Sequence, residues 1–554
     1  MIGVIADAAD HDVVREFFEL FKTPWEFFRE GGLYDAVLLN GENCQAPARA
    51  SLVVAYAGGK SKFDEEQRIP TSSICHSPCI LAYEADRLPI YGKIVELEHR
   101  GTPLLTRHGS GERVAFFDEQ DGKRVARIGY DLFSEVRTLL TGGQPVANAR
   151  IPALELHIAF LRDLLIRCGV PLVEIPPVPD GFSFIACLTH DVDHPSIRQH
   201  KLDHTMFGFL FRACFGSLRR LVSGQISLRD TFTNWLAVVK LPFVYLGVAK
   251  DFWRDFADRY SEIEQELRST FFVIPYKNHP GMTSQGTAPS FRTSGYAADD
   301  ISDIIKDLMA GGHEVGLHGI DAWTDSARGS AELQGIRKLT GAAETGVRMH
   351  WLYFDHNSPA TLEKAGVFYD STVGYNETVG YRAGTTQVYR PLGTTKLLEL
   401  PLHVMDTALF YPSRLELTPG DAAAVLEQMQ NSGARLGGVL TINWHDRSLA
   451  PERLWSATYR NLLADLKSRG AWITTAGQAV AWFRKRRAAT FVLDSEGPRT
   501  VVIKISGEED AQVPALRLRK HRSLPALGDS DHFDFVDIPV SRQLEAVERP
   551  EMMT

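Results

Sequence analysis

From residue 182 to about residue 480 the chain repeats one pattern, a short apolar run followed by a longer amphipathic stretch. The apolar runs include "FSFIACLTH", "STFFVIP", "HEVGLHG", "VRMHWL", "KLLELPL", "GGVLTINWH" and "AWITT". Between them lie "ADDISDIIKDLMAGG", "SAELQGIRKLTG", "DAAAVLEQMQNSG" and "PERLWSATYRNLLADLKSRG", whose apolar residues recur at three- and four-residue steps. Strand-then-helix units need right-handed crossovers, which leave the strands parallel. This many units in about 300 residues favour a barrel or barrel-like α/β fold over an open sheet.

The regions on either side differ in rhythm. Residues 1–150 alternate strand-like runs such as "MIGVIA", "AVLLN" and "SLVVAYA" with helical or polar stretches, which suits a small α/β domain. "AYAGGKS" matches only the end of a phosphate-loop pattern, because Val54 stands where its first glycine belongs, and is read as a turn. Two amphipathic helices follow, and then the proline-rich "VPLVEIPPVPD", expected to be a linker at residues 170–181. After "WFRKRR" the pattern changes to short alternating runs. The expected organisation is therefore an N-terminal α/β domain with a helical connector at 1–170, the barrel at 180–487, and a small β-rich C-terminal domain at 488–545. An aromatic and partly basic segment near 196–250 interrupts the barrel as a helical insertion, with a lid or lipid-surface role as the alternative. The basic run from Arg484 to Arg487 is expected to cap a helix C-terminus in solvent.

A length of 554 residues exceeds what one core supports. The formal charge of −9 makes a phosphate backbone an unfavourable partner, so no nucleic acid is expected. "MIGVIADAADHDVV" lacks a basic flank followed by a long apolar core, and no apolar run elsewhere approaches a membrane span, so a cytoplasmic protein is expected. The one close cysteine pair, in "CHSPC", has no second pair at zinc-finger spacing.

Chemistry-bearing residues fall repeatedly where parallel strands end. Asp191 and Asp193 follow "FIACL", His318 follows "HEVGL", Arg348 and His350 lie in "VRMHWL", and His445 and Asp446 close "GGVLTINWHD". In a parallel barrel these ends share one rim. Two carboxylates two residues apart on a strand project to the same side and repel each other unless a cation, or a raised pKa, relieves them.

These motifs, in this order, resemble the polysaccharide deacetylase family (NodB-homology domain, carbohydrate esterase family 4) over residues 180–485. The aspartate pair of "THDVD" is similar to its first motif, "GHEVGLHGIDAW" to its second and "VRMH" to its third. "YDSTVGY" and "LTINWHD" resemble the last two. The resemblance implies an irregular barrel of NodB type, with Asp191 as general base, Arg348 holding it, His445 as general acid, and Asp193 and His318 as metal ligands. An amide is a poor electrophile, so a divalent ion that polarises its carbonyl and acidifies a water, with a cationic imidazole to protonate the leaving amine, fits the reaction. Oxygen and imidazole ligands suit zinc, with cobalt, nickel and iron also compatible.

One position departs from the family pattern. Ala322 stands where the second motif has another histidine, which leaves two ligands for an ion that normally takes three. His350 is taken as the third, with Asp321 and His194 as alternatives. His190 and His313 are read as structural, and Asp370 as fixing its loop. Tyr375, Tyr381, Trp323 and Trp444 lie near the rim, where a sugar could stack or a core be filled. The implied function is removal of an N-acyl group, N-acetyl first among them, from an amino sugar in a surface polysaccharide or its precursor. The alternatives are a deformylase or other hydrolase of non-peptide amide bonds on the same fold, and a degenerate glycan-binding module.

Overall fold

The computed structural model describes residues 1–47, 50–76, 78–98, 101–120, 122–283, 285–493, 500–505, 512–522, 534–540 and 545–548. The chain forms two compact units. The first comprises Met1–Gly181, Tyr381–Gly393 and Trp482–Thr554, and the second Phe182–Gly380 and Thr394–Ala481.

The first unit is built on a nine-stranded mixed sheet. The strand Ile2–Ile5 pairs in parallel with Trp25–Phe27 and Ala36–Asn40, and Leu52–Tyr56 continues that direction to Lys123–Ile128. From there the strands run antiparallel through Arg113–Gln120, Thr102–Arg107, Cys79–Tyr83 and Asp86–Ile90. Val37, Leu39, Val53, Ala55 and Phe116 join one apolar core cluster of this unit, as the alternation along half-buried strands requires.

Two segments of this unit differ from a sequence-only reading. Residues 170–179 are buried instead of forming a solvated linker, and Val173 and Glu174 pair with Lys520 and Arg519 of the Leu516–His521 strand. The prolines flank that two-residue strand, so none removes a ladder donor. The Arg484–Arg487 run is not a solvated cap either. Arg486 is buried and donates to the carbonyls of Ile175, Glu19 and Leu20 and to Gln387, while Arg487 makes two 2.8 Å bonds to Glu16. A planar guanidinium with five donors satisfies several buried carbonyls at once, which is why burial is tolerated here. Of the expected β-rich tail, 494–499, 506–511, 523–533 and 541–544 lie outside the described residues. The remainder contributes Ala489–Leu493, Thr500–Ile505, Leu516–His521, Phe535–Val540 and Glu545–Glu548 to two three-stranded sheets.

The second unit is an α/β fold around a nine-stranded sheet whose pairs are all parallel. The strand order is Leu398–Glu399, Tyr369–Asp370, Val347–Met349, Glu314–Gly319, Thr270–Val273, Phe184–Val192, Val439–Asn443 and Val404–Met405, and Ala471–Thr474 also pairs with Phe184–Val192. Phe184–Val192 is buried at every position, which accounts for its unbroken apolar start. Its first half lies between Val439–Asn443 and Ala471–Thr474, and its second half borders Thr270–Val273. Gly316 needs to lack a side chain, since a Cβ there would stand 2.8 Å from the Phe272 ring.

The insertion folds as helices His204–Phe211, Arg212–Gly216 and Ser217–Val222 in succession, then Leu228–Tyr245. Ser227 caps the last of these in a reciprocal capping box with Asp230. Among the described residues no helix is long and apolar enough to cross a membrane.

Candidate active site

Period-two alternation along the Phe184–Val192 strand sorts its polar residues between two sides. Thr189 and Asp191 share one side, and Asp193 follows in the same direction just past the strand end. His190 points the other way, fully buried, with Nδ1 2.8 Å from the Trp444 carbonyl and Nε2 2.9 Å from Glu264. It is a structural residue. His313 is likewise spent in packing, with Nδ1 3.0 Å from the Ser269 hydroxyl.

Asp193, His318 and His350 come together from three strand ends, with one donor atom from each within 4.8 Å of the others. Asp193 Oδ1 lies 3.3 Å from His318 Nε2 and 3.7 Å from His350 Nε2, and it is buried without a hydrogen-bond partner among the described residues. An orphaned carboxylate oxygen facing two imidazole nitrogens is costly unless a cation completes it. His318 Nδ1 donates to the Arg348 carbonyl at 2.9 Å, which leaves the Nε2 lone pair aimed at the cluster. Burial pulls His350 down to about 3 against the Asp193 charge, so this imidazole is neutral, as a ligand must be. Burial pushes the Asp193 carboxyl up, but the imidazoles of His318, His350 and His445 around it hold it well below the usual carboxylate range. The three residues thus fit a divalent ion in number and kind.

The two alternative ligands are used elsewhere. Asp321 is buried and accepts from His279 Nε2 (3.0 Å), the Met282 amide (2.8 Å) and Arg328 (3.2 Å). His194 Nδ1 lies 3.0 Å from His200 Nε2, whose own Nδ1 is 2.7 Å from Asp203. Ala322, in the position of the missing histidine, is fully buried.

Asp191 is held from two directions. Its Oδ1 accepts from Arg348 Nη1 at 3.0 Å and its Oδ2 from Asn443 Nδ2 at 2.8 Å, while the Asp191 amide donates to Asn443 Oδ1 at 3.1 Å. Arg348 is buried over the Phe272 ring and also donates to Thr189 Oγ1 (2.7 Å), the Ser371 carbonyl (3.0 Å) and Ser371 Oγ (2.9 Å). With its guanidinium so engaged, Arg348 fixes where the Asp191 carboxylate stands.

His445 approaches from the opposite side, with Nε2 3.8 Å from Asp193 Oδ2. Its Nδ1 donates to Asp406 Oδ1 at 2.6 Å, and its amide donates to Asp406 Oδ2 at 2.7 Å. Burial lowers the His445 pKa, but Asp406, with Asp193 and Asp191, raises it to about 10. The imidazolium is therefore the resting form, and its Nε2 proton is the one left to give. Burial, opposed by Arg447 and supported by the Asp193 charge, also raises Asp446 to about 6.

The open space beside these groups is a cavity of ≈ 390 Å³ lined by Asp191, Asp193, His318, His350 and His445 together with Trp351, Tyr353 and Tyr411. None of Tyr375, Tyr381, Trp323 and Trp444 lines it; these four are buried. Trp351 and Leu352 hold left-handed backbone, with φ of 65° and 54°, a strain of about 1–3 kcal/mol each. Arg292 on the His350 carbonyl (2.7 Å) and Asn376 on the Trp351 carbonyl (2.9 Å) hold that turn, which brings His350 and Trp351 to the rim. Asp370 ends the Tyr369–Asp370 strand rather than a loop and accepts from Thr372, with burial raising it to about 6 beside Glu399, whose carboxyl burial and the Asp370 charge push well above the usual range.

Sequence reasoning missed Asp406, Asn443, Trp351, Tyr353 and Tyr411. Asp406 left a signal, because it directly follows "HVM", the two-residue strand Val404–Met405. Asn443 left another, being the last residue of the strand that leads to His445.

No known family model matches the chain, and no curated protein matches it. Solved structures show weak likenesses. A Mycobacterium smegmatis protein provisionally described as a polysaccharide deacetylase is 19% identical at a TM-score of 0.35, covering 56% of this chain and 94% of that one. A family 4 acetyl xylan esterase from Clostridium thermocellum, in complex with a cobalt ion, is 14% identical at 0.24, covering 54% and 90%. A peptidoglycan deacetylase from Bacillus subtilis is 12% identical at 0.25, covering 55% and 93%. Likenesses this weak carry no argument about activity, which rests on the residues themselves.

Proposed function

We propose that this chain is a metal-dependent hydrolase of the polysaccharide deacetylase type, with residues 180–487 forming an irregular NodB-like barrel and 1–170 and 488–545 accessory to it. Its reaction is removal of an N-acyl group, N-acetyl first among them, from an amino sugar in a surface polysaccharide or its precursor. One observation carries the reading: an anchored carboxylate and an anchored imidazolium flank a cluster of three metal-type donors at the ends of one parallel sheet.

Asp193, His318 and His350 would hold the ion, zinc by donor type. Such an ion supplies Lewis-acid polarisation of the acyl oxygen and acidification of a water. Asp191, held by Arg348 and turned by Asn443, accepts the proton of the attacking water. His445, kept protonated by Asp406, delivers its Nε2 proton to the departing nitrogen, whose expulsion as an anion would be prohibitive. Arg348 and Asp406 position the base and the acid. A third donor, His350, beside Asp193 and His318 supports a working site over a degenerate one.

The test is elemental analysis of the purified chain, followed by amine release from a panel of N-acetylated and N-formylated amino-sugar conjugates. About one ion per chain with release of free amine supports the reading. A chain that refuses zinc, cobalt and nickel and releases nothing overturns it.

A further inference from the structure

The insertion breaks the ordinary distribution of apolar surface. Of the 22 large apolar side chains exposed among the described residues, 14 fall between Leu202 and Val248. They form stripes. Phe207, Phe211 and Phe215 follow at four-residue steps on the first helical stretch, and Phe232, Trp235 and Val239 at three- and four-residue steps on the second, with Phe215 69% and Phe232 66% exposed. Both helices already have a core-facing side, where Phe209, Leu241 and Val244 pack with Ile197 and Trp253. The outer stripes are therefore surplus to folding, and a contiguous apolar surface of this kind marks a binding face.

Charge selects what it binds. Residues 201–250 hold seven Lys and Arg against two Asp, in a chain whose formal charge is −9. A second copy would bring the same positive face against itself. The longest of these helices, Leu228–Tyr245, has 18 residues and carries Arg229, Asp230 and Lys240, so it does not cross a bilayer. Apolar stripes with interleaved basic residues suit the plane of an anionic lipid surface.

A second cavity of ≈ 940 Å³ adjoins this insertion, bounded by Phe211–Ile226 on one side and by residues 410–419 and 452–458 on the other. Arg212, Arg220 and Arg453 line it. Arg212 Nε is buried with no hydrogen-bond partner among the described residues. Glu416 and Glu452 also line it, so four arginines, with Arg219, face two carboxylates there and the groove keeps a surplus of positive charge; burial and the charge of Arg453 draw the Arg212 pKa down to about 9 against the opposing Glu452. Tyr411 and Arg453 line this cavity and the candidate active site alike, which makes the two spaces neighbours.

We propose that the helices of residues 204–245 seat the protein on an anionic lipid surface, and that the arginine-lined groove takes the phosphate-bearing head of a lipid-anchored substrate toward the site. Seating on lipid is independent of the chemistry, whereas delivery of substrate rests on the hydrolase reading above.

The experiment is flotation of the full chain with vesicles of phosphatidylcholine, of phosphatidylcholine with phosphatidylglycerol, and of the latter mixture doped with a long-chain prenyl phosphate. Phosphatidylglycerol is expected to raise flotation several-fold over phosphatidylcholine alone, with loss of the gain in high salt. The double variant Phe215→Ser, Trp235→Ser is expected to lose flotation while keeping its thermal melting, since both side chains are exposed. Prenyl phosphate is expected to add a further gain that Arg212→Met removes. Absence of flotation on every vesicle, together with a dimer by light scattering, would overturn the proposal in favour of an interface between copies. Flotation unchanged in the double variant would overturn the seating, and a prenyl-phosphate gain unchanged in Arg212→Met would overturn the groove. A chain that floats as expected yet hydrolyses nothing overturns the hydrolase reading alone.

Discussion

Two regions of the second unit break the rule of apolar inside and polar outside, in opposite senses. At the strand ends Asp191, Arg348, His318 and His350 are charged or polar and buried, whereas on the insertion Phe211, Phe215, Phe232 and Val239 are apolar and exposed. Each region holds what folding alone would not select. The buried region offsets its cost with paired charges and directed hydrogen bonds, and the exposed region costs the isolated fold little because its helices are anchored by their other face. The two therefore respond differently to substitution: the rim is coupled, and the stripes are nearly additive.

The largest effect is expected at the donor cluster. Asp193→Ala removes the carboxylate that both imidazoles face and should abolish metal retention, with amide hydrolysis falling about 10³-fold or more, since Lewis-acid stabilisation supplies several kcal/mol. Elemental analysis beside an amine-release assay checks it, and a variant that keeps its ion would dissociate Asp193 from the site. Next, Arg348→Met leaves Asp191 buried without its cation and should cost about 3–5 kcal/mol in urea unfolding. A loss below about 1 kcal/mol would show that the rim is less coupled than its geometry implies.

Leu241→Ala, on the core face of the insertion, should cost about 2–5 kcal/mol through a cavity against Trp253. Asp406→Asn should lower kcat/KM roughly tenfold to hundredfold at pH 8. The sign follows from the His445 pKa, which Asp406 helps raise to about 10. Losing that charge lowers it, the protonated fraction at alkaline pH shrinks, and the alkaline limb of the kcat/KM profile moves to lower pH. An unmoved limb would remove His445 from the acid role. The smallest effect belongs to Phe232→Ser, which should change stability by less than about 0.5 kcal/mol. A loss comparable to that of Leu241→Ala would show that the outer stripe is part of the core after all.

Much of the second unit was legible in advance because periodicity is local. "FSFIACLTH" reads as a buried strand from its unbroken apolar run, and it forms Phe184–Val192. "SAELQGIRKLTG" reads as a helix from its spacing, and the helix runs Ser326–Thr340 to a left-handed Gly341. The short strands Val404–Met405 and Leu398–Glu399 leave almost no periodic signal, and with them Asp406 was passed over. The aromatic lining was misjudged for a related reason. Trp444 and Trp351 look alike in sequence, yet Trp444 is buried and Trp351 is carried to the cavity by a left-handed turn held by Arg292 and Asn376.

The sequence by itself determined the longer strands and helices of the second unit, and that acidic and imidazole groups end several of its strands, because both follow from alternation and spacing between near neighbours. The tertiary structure alone decided which of three candidate residues joins Asp193 and His318, which carboxylate orients His445, and which face of the insertion is left uncovered. Those outcomes depend on groups far apart in the chain meeting at distances of a few ångströms, where burial and neighbouring charge fix each residue's ionisation, and no local pattern encodes such a meeting.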